Sequence, residues 1–135
     1  MFCRIVAGGE PARIVARFDG AVAFLPSRPA TAGHTLVVPR VHVVSPVELE
    51  MAPAHQLTDA VLAVARRVMQ VIGPEGLNVV QSTGAVASQT VAHLHVHVVP
   101  RTGGDGLPGL WPPGRDWDYD ELDRIAASLR IDHPG

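Results

Sequence analysis

Apolar positions recur along the chain with two periods, and those periods divide it into elements. The stretch "RIVARFDGAVAFL" (13–25) holds two β-prone runs parted by Asp19-Gly20, a dipeptide that readily takes the positive φ angles of a tight hairpin turn. Two antiparallel strands are expected there. After a loop over 27–33, "HTLVVP" (34–39) reads as a third strand with His34 at its mouth, ended by Pro39 because proline has no N–H to give a ladder. From Pro53 to about Ile72 the residues Leu57, Val61, Val64, Val68 and Ile72 recur at steps of three and four, which predicts an amphipathic helix with Pro53 in its first turn. Gly73-Pro74 is the matching stop signal. "GLNVVQ" (76–81) and "TVAHLHVHVV" (90–99) predict two further strands around the polar loop 82–89. A last helix is expected from about Tyr119 to Leu129, with Leu122, Ile125, Ala126 and Leu129 on one face. About five short strands with segregated helices imply an α+β domain built on an antiparallel sheet. Residues 1–135 are expected to form one domain, with 110–135 as a tail carrying the short helix.

Composition narrows the partners. Eleven basic residues against thirteen acidic ones give a net charge of −2, with no Lys/Arg stripe of the kind that neutralises a nucleic-acid backbone. Polymeric nucleic acid is therefore not an expected partner. No apolar stretch approaches the length needed to span a bilayer, so a protein working in the cytoplasm, off the membrane, is expected. Cys3 is the single cysteine, and no intrachain disulfide can form.

The unusual feature is "AHLHVHVVPR" (92–101), in which three of the seven histidines, His93, His95 and His97, alternate with apolar residues. On a strand they would share one face while Leu94, Val96 and Val98 share the other. A histidine-rich solvated face is one reading. A metal site is another, since histidines two apart on a strand can both reach zinc. The third is chemistry on an anion: a neutral imidazole is a nucleophile near its free pKa of about 6.5, and the phosphoryl group is its natural electrophile.

The stretch "QTVAHLHVHVVPR" (89–101) resembles the signature of the histidine triad (HIT) family, histidine-x-histidine-x-histidine followed by two apolar residues. "FCRIVAGGEPARIV" (2–15), "AFLPSRPATAGHTLVVPRVH" (23–42) and "GLNVVQSTGAVASQTV" (76–91) are similar to its amino-terminal, ribose-side and phosphate-loop segments, in the right order. The resemblance implies a HIT-like fold, a homodimer formed with a second copy of the chain, and a hydrolase or transferase of nucleotides. It implies that His95 attacks the α-phosphate, giving a nucleotidyl-histidine intermediate that water resolves. His97 would bind phosphate oxygens, His93 would fix the tautomer of His95 through its backbone carbonyl, and His34 would complete the cluster. Gln89 and Thr90 match positions that line the phosphate and leaving group. The implied partner is a purine nucleotide or related phosphate compound, and no cofactor is needed. The leaving group is left open between the amine of a nucleoside phosphoramidate and the phosphate of a dinucleoside polyphosphate.

Three positions depart from the family's pattern. Pro26 stands where an aspartate commonly accepts bonds from both ribose hydroxyls, so Ser27 or water would have to serve instead. Ser82 stands where an asparagine is common, and Ser88 where a glycine is usual. The altered ribose contacts keep a non-catalytic nucleotide-binding or interaction module in view as the alternative. His42 matches a histidine that some relatives use, with a C-x-x-C pair and the first triad histidine, to hold structural zinc; with Cys3 alone that set of four is incomplete, and no metal is expected. His55 and His133 read as surface residues. "GLWPPGRDW" (109–117) carries both tryptophans and is expected to pack near the site, that of a partner copy included.

Overall fold

The computed structural model describes residues 1–132; His133 lies outside the described residues. Five strands, β1 (Arg13–Arg17), β2 (Ala21–Leu25), β3 (Thr35–Pro39), β4 (Gly76–Val80) and β5 (Val96–Arg101), form one antiparallel sheet in the order β1-β2-β3-β5-β4. The helices are α1 (Phe2–Val6), α2 (Met51–Ile72) and α3 (Tyr119–Leu129). The α+β class expected from the sequence is the one observed.

Each face of the sheet has its own core. Ala21, Ala23, Val37, Leu94, Val96 and Val98 pack against Leu57, Ala60, Val61, Val64 and Val68 of α2. Val22, Phe24, Leu36 and Val38 pack on the other face against Phe2 and Ile5 of α1. The alternation of β2 and β3 therefore buries both sides, and all but one of their residues are buried. Helix α2 begins two residues before Pro53 and ends on Gly73, whose φ of 63° is the left-handed cap expected of it. Helix α1 has no signature in the sequence because five residues are too few to establish a period.

One turn differs from the expected mechanism. Asp19-Gly20 does join β1 to β2, with Phe18 N–H donating to Ala21 C=O at 2.8 Å. Neither residue of the dipeptide has a positive φ, however. Gly20 is required for space: a Cβ there would collide with the Gln56 side chain of α2. Gly33, just before His34, needs both freedoms: its φ is 95°, and a Cβ there would stand only 2.8 Å from Ile72 and 3.2 Å from Pro100.

Strand β5 starts at Val96, six residues later than the sequence pattern suggests. Its pairing with β3 ends at Val37↔Val96, and continuing it would bring Leu94 opposite Pro39, which cannot donate. Leu94 N–H instead reaches Val43 C=O at 2.7 Å. His93 and His95 thus precede the strand, and only His97 belongs to it. The in-and-out alternation still holds in the packing, since Leu94 is 0 % exposed in the core under α2. Leu94→Ala is expected to cost about 2–5 kcal/mol of stability and to loosen the flanking histidines; urea unfolding would measure it.

The far end of β5 is tied down by Arg101. Its Nε donates to Asp105 Oδ2 at 2.7 Å, its Nη1 to Asn78 Oδ1 at 2.9 Å and its Nη2 to Leu107 C=O at 3.0 Å. Beyond this clamp the chain is loosely packed: α3 buries no residue, and Leu122, Ile125 and Leu129 are exposed.

Candidate active site

His93 and His95 of the triad are 2 and 8 % exposed, His34 beside them is 8 % exposed and His97 is half-buried, so the triad does not lie on a solvated face. Its cover is α1: the Phe2 ring meets those of His93 and His95 edge-on, with centroids 6.0 and 5.2 Å away. Phe2 is a site residue that the sequence does not single out; its only signal there is the i, i+3 spacing with Ile5.

Local hydrogen bonds assign a tautomer to each imidazole in its neutral form. Ala30 N–H donates to His34 Nδ1 at 2.9 Å. The His34 proton is therefore on Nε2, which lies 3.0 Å from His97 Nδ1 and donates to it. His97 in turn carries its proton on Nε2. His95 Nδ1–H donates to the His93 carbonyl at 2.8 Å, leaving the lone pair on His95 Nε2. His93 Nε2–H donates to the Pro39 carbonyl at 3.1 Å, leaving its lone pair on Nδ1. Pairing and burial thus set up one nitrogen able to attack beside one N–H able to donate, with the His95 and His97 ring centroids 5.0 Å apart.

Burial favours the neutral forms. It pushes His97 down to about 4, with the neighbouring His95 and His34 adding to the effect. It also lowers His34 and His93, the latter despite the opposing bond to Pro39.

A cavity of about 440 Å³ opens on this group. His95, His97 and Thr90 line one side, and Phe2, Ile5, Phe24 and Leu36 supply apolar walls. Pro26 and Ser27 also line it, which brings the departure at position 26 into the site. The arrangement suits a ligand with a flat apolar part and a phosphoryl group near the imidazoles.

The remaining sequence-derived residues are placed differently. Gln89 accepts from Gly84 N–H at 2.8 Å through Oε1 and donates through Nε2 to the Val44 and Val91 carbonyls, both at 3.0 Å. Both amide protons are engaged, so Gln89 organises the loop and does not line the cavity. Ser88 is exposed with φ at 77°, the only non-glycine residue with positive φ among the described residues, which accounts physically for a glycine being usual there. Ser82 is half-buried in the loop after β4 and is not on the cavity wall. Its neighbour Gln81, which carries no signal in the sequence, buries Nε2 without a partner while Oε1 accepts from Thr83. The segment 109–117 does not line the cavity within this chain, and Trp111 is 87 % exposed.

One grouping runs against the sequence expectation. Cys3 Sγ lies 3.1 Å from His42 Nδ1 and 3.4 Å from His93 Nδ1, and the two imidazole nitrogens are 3.2 Å apart. The donors discounted as an incomplete set therefore do converge.

Residues 7–104 match the family model described as the HIT domain. The chain is 36 % identical over 117 residues to adenosine 5′-monophosphoramidase hnt1 of Schizosaccharomyces pombe, spanning 83 % of this chain and 82 % of that one. It is similar to the crystal structure of a HIT family member from Bacillus subtilis, with 34 % identity, a TM-score of 0.91 and coverage of 98 % and 97 %. It is also similar to a zinc-bound histidine triad family protein from Mycobacterium smegmatis, with 34 % identity, a TM-score of 0.73 and coverage of 94 % and 89 %.

Proposed function

The chain belongs to the histidine triad (HIT) family, and from that premise we propose that it is a hydrolase or transferase acting at the α-phosphate of a purine nucleoside phosphoramidate. The observation that carries this is the pair of fixed tautomers: a lone pair on His95 Nε2 beside a proton on His97 Nε2. His95 Nε2 attacks phosphorus, an N–P bond forms, and the bond to the amine breaks with its electron pair leaving on nitrogen. Water protonates the departing amine. In the second step water attacks phosphorus, the N–P electrons return to Nε2, and a nucleoside monophosphate departs as the water's proton is lost. His97 donates to the phosphoryl oxygens as charge builds on them, a stabilisation worth more in a dry site than in solvent. His34 orients His97, and the His93 carbonyl orients His95; both are positioning residues. The purine lies against Phe2, Ile5 and Phe24. A second copy of the chain as partner is part of the same reading.

The test is turnover against a panel of adenosine phosphoramidate and dinucleoside polyphosphates. The phosphoramidate is expected to be consumed fastest; preference for polyphosphates would transfer the assignment to that leaving group. Turnover of neither would favour the binding-module reading, for which Pro26 in the cavity wall is the specific observation.

Pro26 also supplies a prediction. A carboxylate at this position would accept ribose hydroxyls, and charge-assisted bonds contribute about 1.5–3 kcal/mol each at most. Pro26→Asp is expected to lower the Kd for adenosine monophosphate by about tenfold, with no gain for its 2′,3′-dideoxy analogue. Equal gains for both compounds would remove the ribose assignment of position 26.

The zinc of the M. smegmatis neighbour raises the matter of metal. A tetrahedral zinc with bonds of about 2.3 Å to sulfur and 2.0–2.1 Å to nitrogen keeps its ligand atoms about 3.3–3.6 Å apart. Cys3, His42 and His93, at 3.1–3.4 Å, fit such an ion. They would hold it, and it would supply a cross-link among α1, the segment after β3 and the approach to β5. None of the three lines the cavity, so the phosphoryl chemistry is left to the histidines.

A further inference from the structure

The cavity beside the imidazoles has a second polar feature. Two charged side chains, Glu10 and Arg28, are among its lining residues. They come from separate segments that the sheet brings together. Arg13 of β1 pairs with Leu25 of β2 in antiparallel register, so the chain entering β1 runs beside the chain leaving β2. Glu10 and Arg28 each lie three residues beyond that pair and share one rim of the cavity. Glu10 is half-buried and Arg28 is exposed. Among the described residues the one ion pair is Arg101 with Asp105, so these two opposite charges line the cavity without being spent on each other.

The chemistry of the two groups limits what such a rim can recognise. A carboxylate only accepts hydrogen bonds, and a guanidinium only donates them, each two at a time. A ligand that satisfies both must present a pair of donors beside a pair of acceptors. A purine lying against the apolar walls of Phe2, Ile5 and Phe24 turns its edge to the rim. Guanine has the required pattern on that edge: N1–H and the N2 amino group donate, O6 and N7 accept, and the two pairs adjoin on one planar ring system. Adenine reverses the pattern, with a lone pair on N1 and an amino group on C6. The carboxylate would then meet a lone pair and the guanidinium an N–H, and each charge would lose its water without gaining a bond.

We propose that Glu10 and Arg28 read the base and that the site prefers guanine to adenine nucleotides. Glu10 accepts from N1–H and the N2 amino group, and Arg28 donates to O6 and N7. This names the substrate class of the site described above and rests on that reading for the placement of the base. The attraction between two charges on a solvent-facing rim is small, so turning both to a ligand costs little. Both contacts lie away from phosphorus and are the same before and during the reaction, so the preference belongs to KM and not to kcat.

The test is calorimetric titration of the full-length protein with guanosine, inosine and adenosine monophosphates, which report binding without turnover. Guanosine monophosphate is expected to bind about tenfold or more tighter than adenosine monophosphate. Inosine monophosphate, which keeps O6, N7 and N1–H but lacks the N2 amino group, is expected between them. Glu10→Gln should bring the guanosine and adenosine compounds to within about threefold of each other and remove the difference between guanosine and inosine. Arg28→Gln should weaken the guanosine compound by about fivefold or more and leave the adenosine compound unchanged. Should either variant fail to fold, the ranking of the three nucleotides on the wild-type protein decides the point. Wild-type binding of the guanosine and adenosine compounds with equal strength, or preference for adenosine, overturns the inference and leaves the functional reading standing. A ranking indifferent to Glu10→Gln overturns the role of Glu10, and equal losses for both nucleotides in Arg28→Gln would assign Arg28 to the phosphate and overturn its role at the base. Binding of none of the three overturns the functional reading and this inference with it.

Discussion

Replacing His95 with alanine is expected to reduce turnover by at least about a thousandfold while leaving the fold and nucleotide binding in place. The substitution removes the only triad nitrogen that the hydrogen bonds leave with a free lone pair at the cavity wall. A cavity already open beside residue 95 limits the packing cost. His97→Asn should be less severe, about a hundredfold to a thousandfold in kcat, because it removes a donor and leaves the nucleophile. The ranking is the informative part. Comparable losses at the two positions would mean that His95 does no more than bind, and residual His95→Ala activity within tenfold of wild type would exclude it as the nucleophile.

The second large effect is on stability in acid. Burial lowers His97 to about 4 and lowers His34 and His93 below their ordinary value, whereas in the unfolded chain all three titrate near 6.5. Between those values the unfolded state binds more protons than the folded one. Stability therefore rises with pH across this window: the histidine contribution is complete above about 6.5 and is lost as the pH falls toward 4. For His97 alone, half-buried and partly screened, the loss is on the order of 2 kcal/mol; His34 and His93 act in the same direction. Asp105, held low first by its hydrogen bond from Arg101, contributes only in more acid solution, below the ordinary carboxylate range. Urea unfolding at pH 7 and 4.5 should show the decline, and His97→Asn should flatten it. A wild-type stability that is level between those pH values would contradict the neutral, buried cluster.

The fold is legible in the sequence where the physics is local. The three-and-four spacing of Leu57 to Ile72 marks α2, Gly73 marks its end, and the alternation around Asp19-Gly20 marks a hairpin. Legibility fails where a distant residue decides. Strand β5 looks longer than it is because nothing within "TVAHLHVHVV" shows that Pro39, more than fifty positions away, will face Leu94 and have no proton to offer. The burial of the triad is hidden for the same reason: its cover, Phe2, comes from the opposite end of the chain. Among the site residues, the His95 bond to the His93 carbonyl spans two positions and is accessible through the family resemblance. The His34–His97 bond spans 63 and the Cys3–His93 contact 90. These are products of sheet order, which a one-dimensional pattern does not display. Gln89 illustrates the reverse case, a residue assigned to substrate by resemblance whose amide is engaged by its own loop and by the distant Val44 carbonyl.

The central claim is that His95 Nε2 carries the nucleotidyl group between two steps. It is tested most directly by mixing the protein with adenosine phosphoramidate, quenching in alkali within the first turnover, and mapping the adduct by peptide mass spectrometry. The predicted result is an adenylyl group on the peptide containing residues 93–97, assigned to His95 by fragmentation and absent from His95→Ala. Turnover with no protein-bound adenylyl group at any quench time, or an adduct assigned to His97 or His93, would contradict it.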